Sequence, residues 1–143
     1  MFRGRKKSLE QSTPLVERDL PAVDGELRVV RVTDETFLER TEGGYTVVDF
    51  WAAWCGPCRS FAPLFKAAAA AHVGPVRFGA CDIEANPATA ELLQIRSIPT
   101  LVVFGPDGSE IGRSLGAVTR GDLEATIRQL DSLAGAAGSP ADC

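Results

Sequence analysis

The sequence predicts an α/β fold, with one central mixed sheet of five strands flanked by helices on both faces. Three observations support this prediction. Strand-like segments alternate with helical ones along most of the chain, which favours parallel strands joined by helices. The run "YTVVDFWA" at 45–52 has no polar alternation, which is typical of a central strand covered on both sides. The last two strand-like segments are separated only by "PDGS" at 106–109, which predicts a hairpin.

The first predicted elements are a short strand and a short helix. The strand is "ELRVVRV", Glu26–Val32, and the helix is "DETFLERT" at 34–41. Thr33 or Asp34 is the expected N-cap of this helix, although Thr33 and Thr36 do not complete a capping box by residue type. The glycine pair at 43–44 ends the helix.

The remaining elements continue the alternation. Pro63 lies inside the long helix that follows the central strand and is expected to kink it. Asn86 as a cap and Pro87 at the first position predict the start of the next helix. The closing helix carries Leu123 and Ile127 on one apolar face. In order, the segments are helix 58–72, strand 76–83, helix 86–95, strands 100–105 and 110–116, and helix 119–134.

The chain of 143 residues suits one domain, predicted over 27–133, between two flexible ends. In the extension at 1–26, five basic and five acidic residues cancel, and no periodicity is sustained. The segment 134–143 is the expected C-terminal tail.

Composition excludes several classes of function. A net charge of −4 and a pI near 5.0 argue against a nucleic-acid or membrane-surface partner, since both favour a basic face. No apolar run approaches the roughly 20 residues of a membrane span. The basic N-terminus has no apolar stretch behind it, as a secretory signal would, and its early acidic residues weaken a mitochondrial assignment. We therefore expect a cytoplasmic protein.

Cys55 and Cys58 stand where the central strand is followed directly by a helix. Unpaired N–H groups and the helix dipole at this end favour an anion, so the pKa of the Cys55 thiol is expected to fall. Cys58 is close enough to attack a mixed disulfide formed on Cys55. The pair is therefore predicted to carry out thiol–disulfide exchange.

The pair could have two other roles. A structural zinc site needs four ligands, whereas His72 lies at the far end of the long helix, Cys81 in a predicted buried strand and Cys143 at the end of the tail. A purely structural disulfide between residues only three apart would restrain little of the unfolded chain. Exchange is favoured over both.

Asp49 lies within the apolar run of the central strand. A buried carboxylate is costly without a partner or a role, and desolvation should raise its pKa towards neutrality. Such a group could exchange a proton near pH 7. The alternative is an aspartate at the strand's edge, in contact with water.

Four segments together resemble the thioredoxin family. They are "VVDFWAAWCGPC", "DIEANP", "SIPTLVVF" and "LGAVTRGDL", in the right order and spacing within 26–133. The resemblance implies the thioredoxin fold and a protein-disulfide reductase that takes part in cell redox homeostasis. It also implies disulfide-containing protein substrates and recharging by thioredoxin reductase, a flavoenzyme. We expect a monomer without a metal or any cofactor beyond the redox-active disulfide.

The resemblance also assigns roles to residues. Cys55 is the nucleophile, Cys58 the resolving cysteine of the Cys55–Cys58 redox disulfide, and Asp49 the buried proton acceptor and donor. Gly56-Pro57 between the cysteines is the form found in reductases. Pro99 matches the family's cis-proline, next to which the backbone of Ile98 would pair with a substrate strand. The expected apolar substrate-binding patch around an exposed sulfur comprises Trp54, Gly56, Pro57, Ile98, Pro99, Gly116 and Ala117.

The sequence departs from the family at Ala80, where many thioredoxins carry a lysine near the buried acid. Asp49 is therefore expected to titrate higher than in relatives that have the lysine. A thiol oxidase or isomerase, and a binding or chaperone module, are the alternative functions. The intact "CGPC" argues against a binding module, since binding needs neither thiol. Cys81 is expected to act as a small buried apolar residue, and Cys143 to have no role in the site.

Overall fold

Five strands form one mixed sheet, in the spatial order 29–31, 77–82, 46–51, 100–104 and 110–115. A computed structural model describes residues 28–141, with side chains described through residue 136. The predicted extension at 1–26 and Cys143 lie outside the described residues. Within the described range, no helix is both long enough and apolar enough to cross a bilayer.

All nine described elements occur in the predicted order. The strands are β1 (Val29–Arg31), β2 (Thr46–Trp51), β3 (Arg77–Asp82), β4 (Thr100–Phe104) and β5 (Glu110–Leu115), and the helices are α1 (Phe37–Thr41), α2 (Gly56–Ala71), α3 (Pro87–Leu92) and α4 (Arg120–Ala141).

Strand β2 lies at the centre of the sheet and is buried from Thr46 to Phe50. It pairs parallel with β3 and antiparallel with β4, so Asp49 stands between Ala80 and Leu101. β4 and β5 form the predicted antiparallel hairpin. The expectation of a central strand covered on both faces is confirmed.

Each face of the sheet carries its own apolar core. On one face, α2 and α4 contribute Phe61, Phe65, Leu123 and Ile127 to a cluster that includes Val47 of β2. On the other, side chains from α1, β2 and β4 pack together with Cys81. Because side chains alternate along a strand, Asp49 shares the face of Val47 and points towards α2.

The closing helix is longer than predicted. It was expected to end at residue 134, but α4 continues to Ala141. The added segment 135–141 holds three alanines, which favour a helix, but also Gly135, Gly138 and Pro140, which do not, so residue propensity alone does not explain the extension. The domain boundary at residue 133 remains a prediction.

The expected N-cap of α1 was wrong, because Thr36 holds that position, whereas Asn86 holds the N-cap position of α3 with Pro87 in its first turn, as predicted. Asp34 does not cap the helix that follows it, and its carboxylate accepts hydrogen bonds from the backbone N–H (2.8 Å) and hydroxyl (2.7 Å) of Thr89 in α3. The hydroxyl bond is the largest cause of a lowered pKa of Asp34. Asn86 makes no side-chain cap for α3, and its Oδ1 instead accepts from the Asp34 N–H (2.9 Å). These contacts join segments more than 50 residues apart, beyond the reach of a local pattern.

Thr33 and Thr36 form the reciprocal bonds that their residue types did not predict. The Thr33 N–H donates to Oγ1 of Thr36 (3.0 Å), and the Thr36 N–H donates to Oγ1 of Thr33 (3.2 Å). These bonds close a turn before the helix, and α1 begins at Phe37, three residues later than predicted.

Gly79 is required by the packing of β1 on β3. A Cβ atom at this position would lie 2.8 Å from Cγ2 of Val32 and 3.4 Å from the carbonyl oxygen of Val30. Val32 is fully buried, so it has little room to move aside.

Gly79→Ala is expected to lower the free energy of unfolding by about 1–3 kcal/mol, the usual cost of overpacking a core. Chemical denaturation of the oxidised protein measures this. Gly112→Ala is the matched control, because a Cβ on this β5 glycine meets nothing within 4 Å. Val32→Ala alone costs stability by removing buried methyl groups, so the Val32→Ala, Gly79→Ala double variant should lose less than the sum of the two single losses. Equal stability of the two glycine variants would contradict the packing argument.

Candidate active site

The two cysteines stand at the junction between β2 and α2. β2 ends at Trp51 and α2 begins at Gly56, so Cys55 is the N-cap of α2 and has extended backbone angles. Pro57 occupies the first turn, where its missing N–H costs nothing. Cys55 and Cys58 are joined by a disulfide, with their Cα atoms 5.2 Å apart.

The surroundings of Cys55 favour negative charge on its sulfur. The backbone N–H of Cys58 donates a hydrogen bond to Cys55 Sγ over 3.1 Å. The first turn of α2 contains no acidic residue to offset the positive end of the helix dipole. When the disulfide is reduced, this arrangement stabilises a Cys55 thiolate over the thiol.

The expectation of an exposed sulfur was wrong. Cys55 is only 3% exposed and Cys58 only 1%. The carbonyl oxygen of Ile98 lies 3.8 Å from Cys55 Sγ, and the Ile98–Pro99 peptide bond is cis, as the resemblance implied. A neighbouring backbone segment therefore contacts the sulfur expected to meet substrate.

Within the expected substrate-binding patch, Trp54 and Gly56 flank Cys55 in the chain and Ile98 contacts its sulfur. Gly116 joins them because its N–H donates to the carbonyl of Pro99 over 2.8 Å, and its φ of +87° explains why glycine is found there. Trp54 is 64% exposed, and its indole N–H donates to Glu84 over 2.6 Å. Pro57 and Ala117 are also exposed, Gly56, Ile98 and Gly116 are half-buried, and Pro99 is buried.

Asp49 is buried without a hydrogen-bond partner for one of its oxygens. The residue is 3% exposed, and no described residue bonds to its Oδ1. Desolvation raises its pKa to about 7. The alternative of an aspartate at the edge of the sheet, in contact with water, is therefore contradicted.

A cavity of about 230 Å³ joins Asp49 to the disulfide. Cys58 and Asp49 both line it, and the small side chain of Ala80 leaves it open on the β3 side. Lys66 of α2 also lines this cavity and was not among the residues predicted for the site. The complete lining is Val29, Asp49, Trp51, Cys58, Arg59, Ala62, Phe65, Lys66 and Ala80.

Comparison with known proteins agrees with this geometry. The family model described as Thioredoxin matches residues 28–129. A thioredoxin of Staphylococcus aureus is 41% identical over 90 residues, which cover 63% of this chain and 86% of the relative. A thioredoxin of Staphylococcus saprophyticus is 36% identical over 103 residues, covering 72% of this chain and 98% of the relative.

The crystal structure of Malassezia sympodialis thioredoxin (Mala s 13) is similar in fold. It superposes with a TM-score of 0.67 at 32% identity, covering 79% of this chain and 98% of that one. The chain belongs to the thioredoxin family. It is a thiol–disulfide oxidoreductase, a protein-disulfide reductase.

Two other features of this thioredoxin-family chain are separate from the redox pair. Cys81 is fully buried on the opposite face of the sheet, and burial raises the pKa of its thiol to about 12. A larger groove of about 770 Å³ lies between β5 and α4 and contains no cysteine.

Among residues 28–141, no group of three or more histidine, cysteine, aspartate or glutamate side chains is placed to hold a metal ion.

The stability of the oxidised protein is expected to fall as pH rises from 4 to 8. Asp49 ionises at about 3.8 when unfolded and at about 7 when folded, so the unfolded state gains charge first. Asp49→Asn removes this penalty and should be more stable than wild type at pH 8 by a few kcal/mol. The gain should shrink to about half a kcal/mol near pH 4, where folded Asp49 is protonated and the unfolded carboxyl is only partly ionised. Denaturation curves at both pH values test this, and a gain independent of pH would contradict it.

Proposed function

We propose that Cys55 attacks substrate disulfides and that Cys58 resolves the resulting intermediate. The observation that carries this assignment is the hydrogen bond from the Cys58 N–H to Cys55 Sγ at the start of α2. That bond singles out Cys55 as the sulfur on which charge is stabilised. Cys58 lies one turn further into the helix and has no equivalent donor among the described contacts.

The exchange proceeds in two steps. The Cys55 thiolate attacks one sulfur of a substrate disulfide, forms a mixed disulfide, and releases the other substrate sulfur as a thiolate that takes a proton from water. Cys58 then loses its proton and attacks Cys55 Sγ. This second attack forms the Cys55–Cys58 disulfide and releases the second substrate thiolate, which is protonated. Two electrons pass from the protein to the substrate.

Asp49 is the proposed acceptor of the Cys58 proton. It shares the cavity with Cys58, and one of its carboxylate oxygens has no partner among the described side chains and backbone groups. With a pKa near 7, the carboxylate can take a proton during the second step and return it when the disulfide is reduced again. The cavity has room for water between the two groups.

The substrates we propose are disulfides in other proteins, held against the patch of Trp54, Gly56, Pro57, Ile98, Pro99, Gly116 and Ala117. An extended substrate segment could bond to the backbone beside Ile98. Electrons would return from thioredoxin reductase, and the cycle would use only the redox-active disulfide. The proposed compartment is the cytoplasm, where disulfides are continually reduced.

Cys58→Ser is expected to leave the mixed disulfide on Cys55 unresolved. Turnover of insulin disulfides should fall by about a hundredfold or more, because both sulfurs act as one unit. Mass spectrometry should find a peptide of the substrate attached at Cys55. Cys81→Ala is the control, since Cys81 lies on the other face of the sheet and should leave turnover intact. Unchanged turnover in Cys58→Ser would contradict the assignment of the two sulfurs.

A further inference from the structure

The segment at 93–99 joins α3 to β4 and brings a backbone carbonyl group to the redox sulfur. The carbonyl oxygen of Ile98 lies 3.8 Å from Cys55 Sγ, and the peptide bond from Ile98 to Pro99 is cis. The position of this segment therefore decides which backbone groups an extended substrate strand meets beside the disulfide.

Strand β5 holds this segment at both ends. At the first end, the Arg113 guanidinium donates a hydrogen bond to the carbonyl oxygen of Leu93 over 2.8 Å. At the second end, the Gly116 N–H donates to the carbonyl oxygen of Pro99 over 2.8 Å. The second bond is made by the backbone, whereas the first depends on one side chain. A substitution can therefore remove the first anchor and leave the second in place.

The Arg113 side chain is held in one orientation by a carboxylate of the same strand. Its Nε and Nη2 atoms donate to the two oxygens of Glu110, and the bond from Nη2 to Oε1 is 2.7 Å long. Such a bidentate pair fixes the plane of the guanidinium as well as its distance. The hydrogen bond from Arg113 also lowers the pKa of Glu110, so the carboxylate is ionised at neutral pH.

The backbone that Arg113 holds is in an unfavourable conformation. Gln94 has a φ of +54°, in the left-handed region that residues other than glycine rarely adopt. The N–H groups of Gln94 and Ile95 donate to the carbonyls of Glu91 and Ala90, which ends α3 in a Schellman motif. An unfavourable conformation persists only where its surroundings hold it. The bond from Arg113 is such a contact, because the Leu93 carbonyl belongs to the peptide group that precedes Gln94.

We propose that Arg113 is a positioning residue for protein substrates: by holding the Leu93 carbonyl from β5, it fixes the segment 93–99 and so the Ile98 backbone that pairs with a substrate strand beside Cys55. The side-chain hydrogen bonds of Arg113 go to Glu110 and Leu93, so it acts on the site through the backbone. Its effect on turnover rests on the proposed function. Its effect on the order of the segment does not.

The first test is amide hydrogen exchange in the oxidised protein, followed by NMR at Gln94 and Ile95. Arg113→Gln should raise both exchange rates by about three- to tenfold, the effect of losing one hydrogen bond that opposes local opening. Arg113→Met is a second variant without the charge and should behave alike. Glu110→Gln keeps the bond to the Leu93 carbonyl and should change the rates by less than about twofold. Arg128→Gln, which removes an exposed arginine of α4, is the matched control and should leave them unchanged.

The second test compares a protein substrate with a small one, with dithiothreitol as the reductant. Arg113→Gln should raise the KM for insulin by about three- to tenfold and change kcat by less than about twofold. Reduction of 5,5′-dithiobis(2-nitrobenzoate), which has no strand to pair, should match that of Arg128→Gln. The insulin result separates positioning from a general loss of structure, which would impair both reactions.

Three results would overturn the proposal. The first is unchanged exchange at the two amides in folded Arg113→Gln and Arg113→Met. The second is raised exchange with an unchanged KM for insulin, and the third is an equal loss of activity on both substrates. If Cys58→Ser retains insulin turnover, the proposed function fails, and the exchange rates still decide whether Arg113 holds the segment.

Discussion

The chemistry of this protein depends on one backbone N–H group that the helix leaves unpaired. The first N–H groups of any α-helix have no carbonyl partner in the preceding turn. Here the N–H of Cys58 is one of them, and Cys55 Sγ is its acceptor. This bond exists because β2 ends at Trp51 and α2 begins at Gly56, which leaves Cys55 as the cap. The end of the strand therefore fixes where the helix starts, and so places the Cys55 sulfur within hydrogen-bond distance of the Cys58 N–H.

The buried carboxylate of Asp49 lowers the stability of the fold at its central strand. Asp49 lies on the central strand β2, which is buried from Thr46 to Phe50, and points towards the core of α2 and α4, where an apolar residue would pack better. Its pKa near 7 is the consequence of this burial, with no ion pair among the causes. A group that is unfavourable for folding is thus available for proton exchange beside the disulfide. Cores on both faces of the sheet provide the stability that this arrangement requires.

The sequence was sufficient to predict the order of all nine elements, the central position of β2 and the β4–β5 hairpin. These depend on hydrophobic pattern and turn residues, which are local signals. The junction of strand and helix also placed the cysteines correctly. The cap predicted for α1 was wrong because Asp34 bonds to Thr89, and a contact across 55 residues leaves no local signature, whereas the cap position of α3 at Asn86 was predicted correctly. Burial of Cys55 was missed because Ile98, which contacts its sulfur, is 43 residues away.

Two further residues acquire their importance only from packing between elements. Gly79 is an ordinary strand glycine in the sequence, and only the position of Val32 explains it. Lys66 lies two steps of four residues after Cys58, with the small Ala62 between them, and this spacing could have placed its side chain on the same side of the helix. The spacing does not by itself predict a cavity. The cavity exists because the register of β2 and β3 places the small Ala80 beside Asp49.

The midpoint potential of the Cys55–Cys58 pair tests the central claim most directly, because a helix end can favour either a reductant or an oxidant. It would be measured by Trp54 fluorescence against a dithiol buffer, in a Cys81→Ser, Cys143→Ser background. A disulfide reductase should give a strongly reducing value, near the figure of about −270 mV known for thioredoxin. A value of about −180 mV or above would indicate an oxidant or isomerase and would contradict the account.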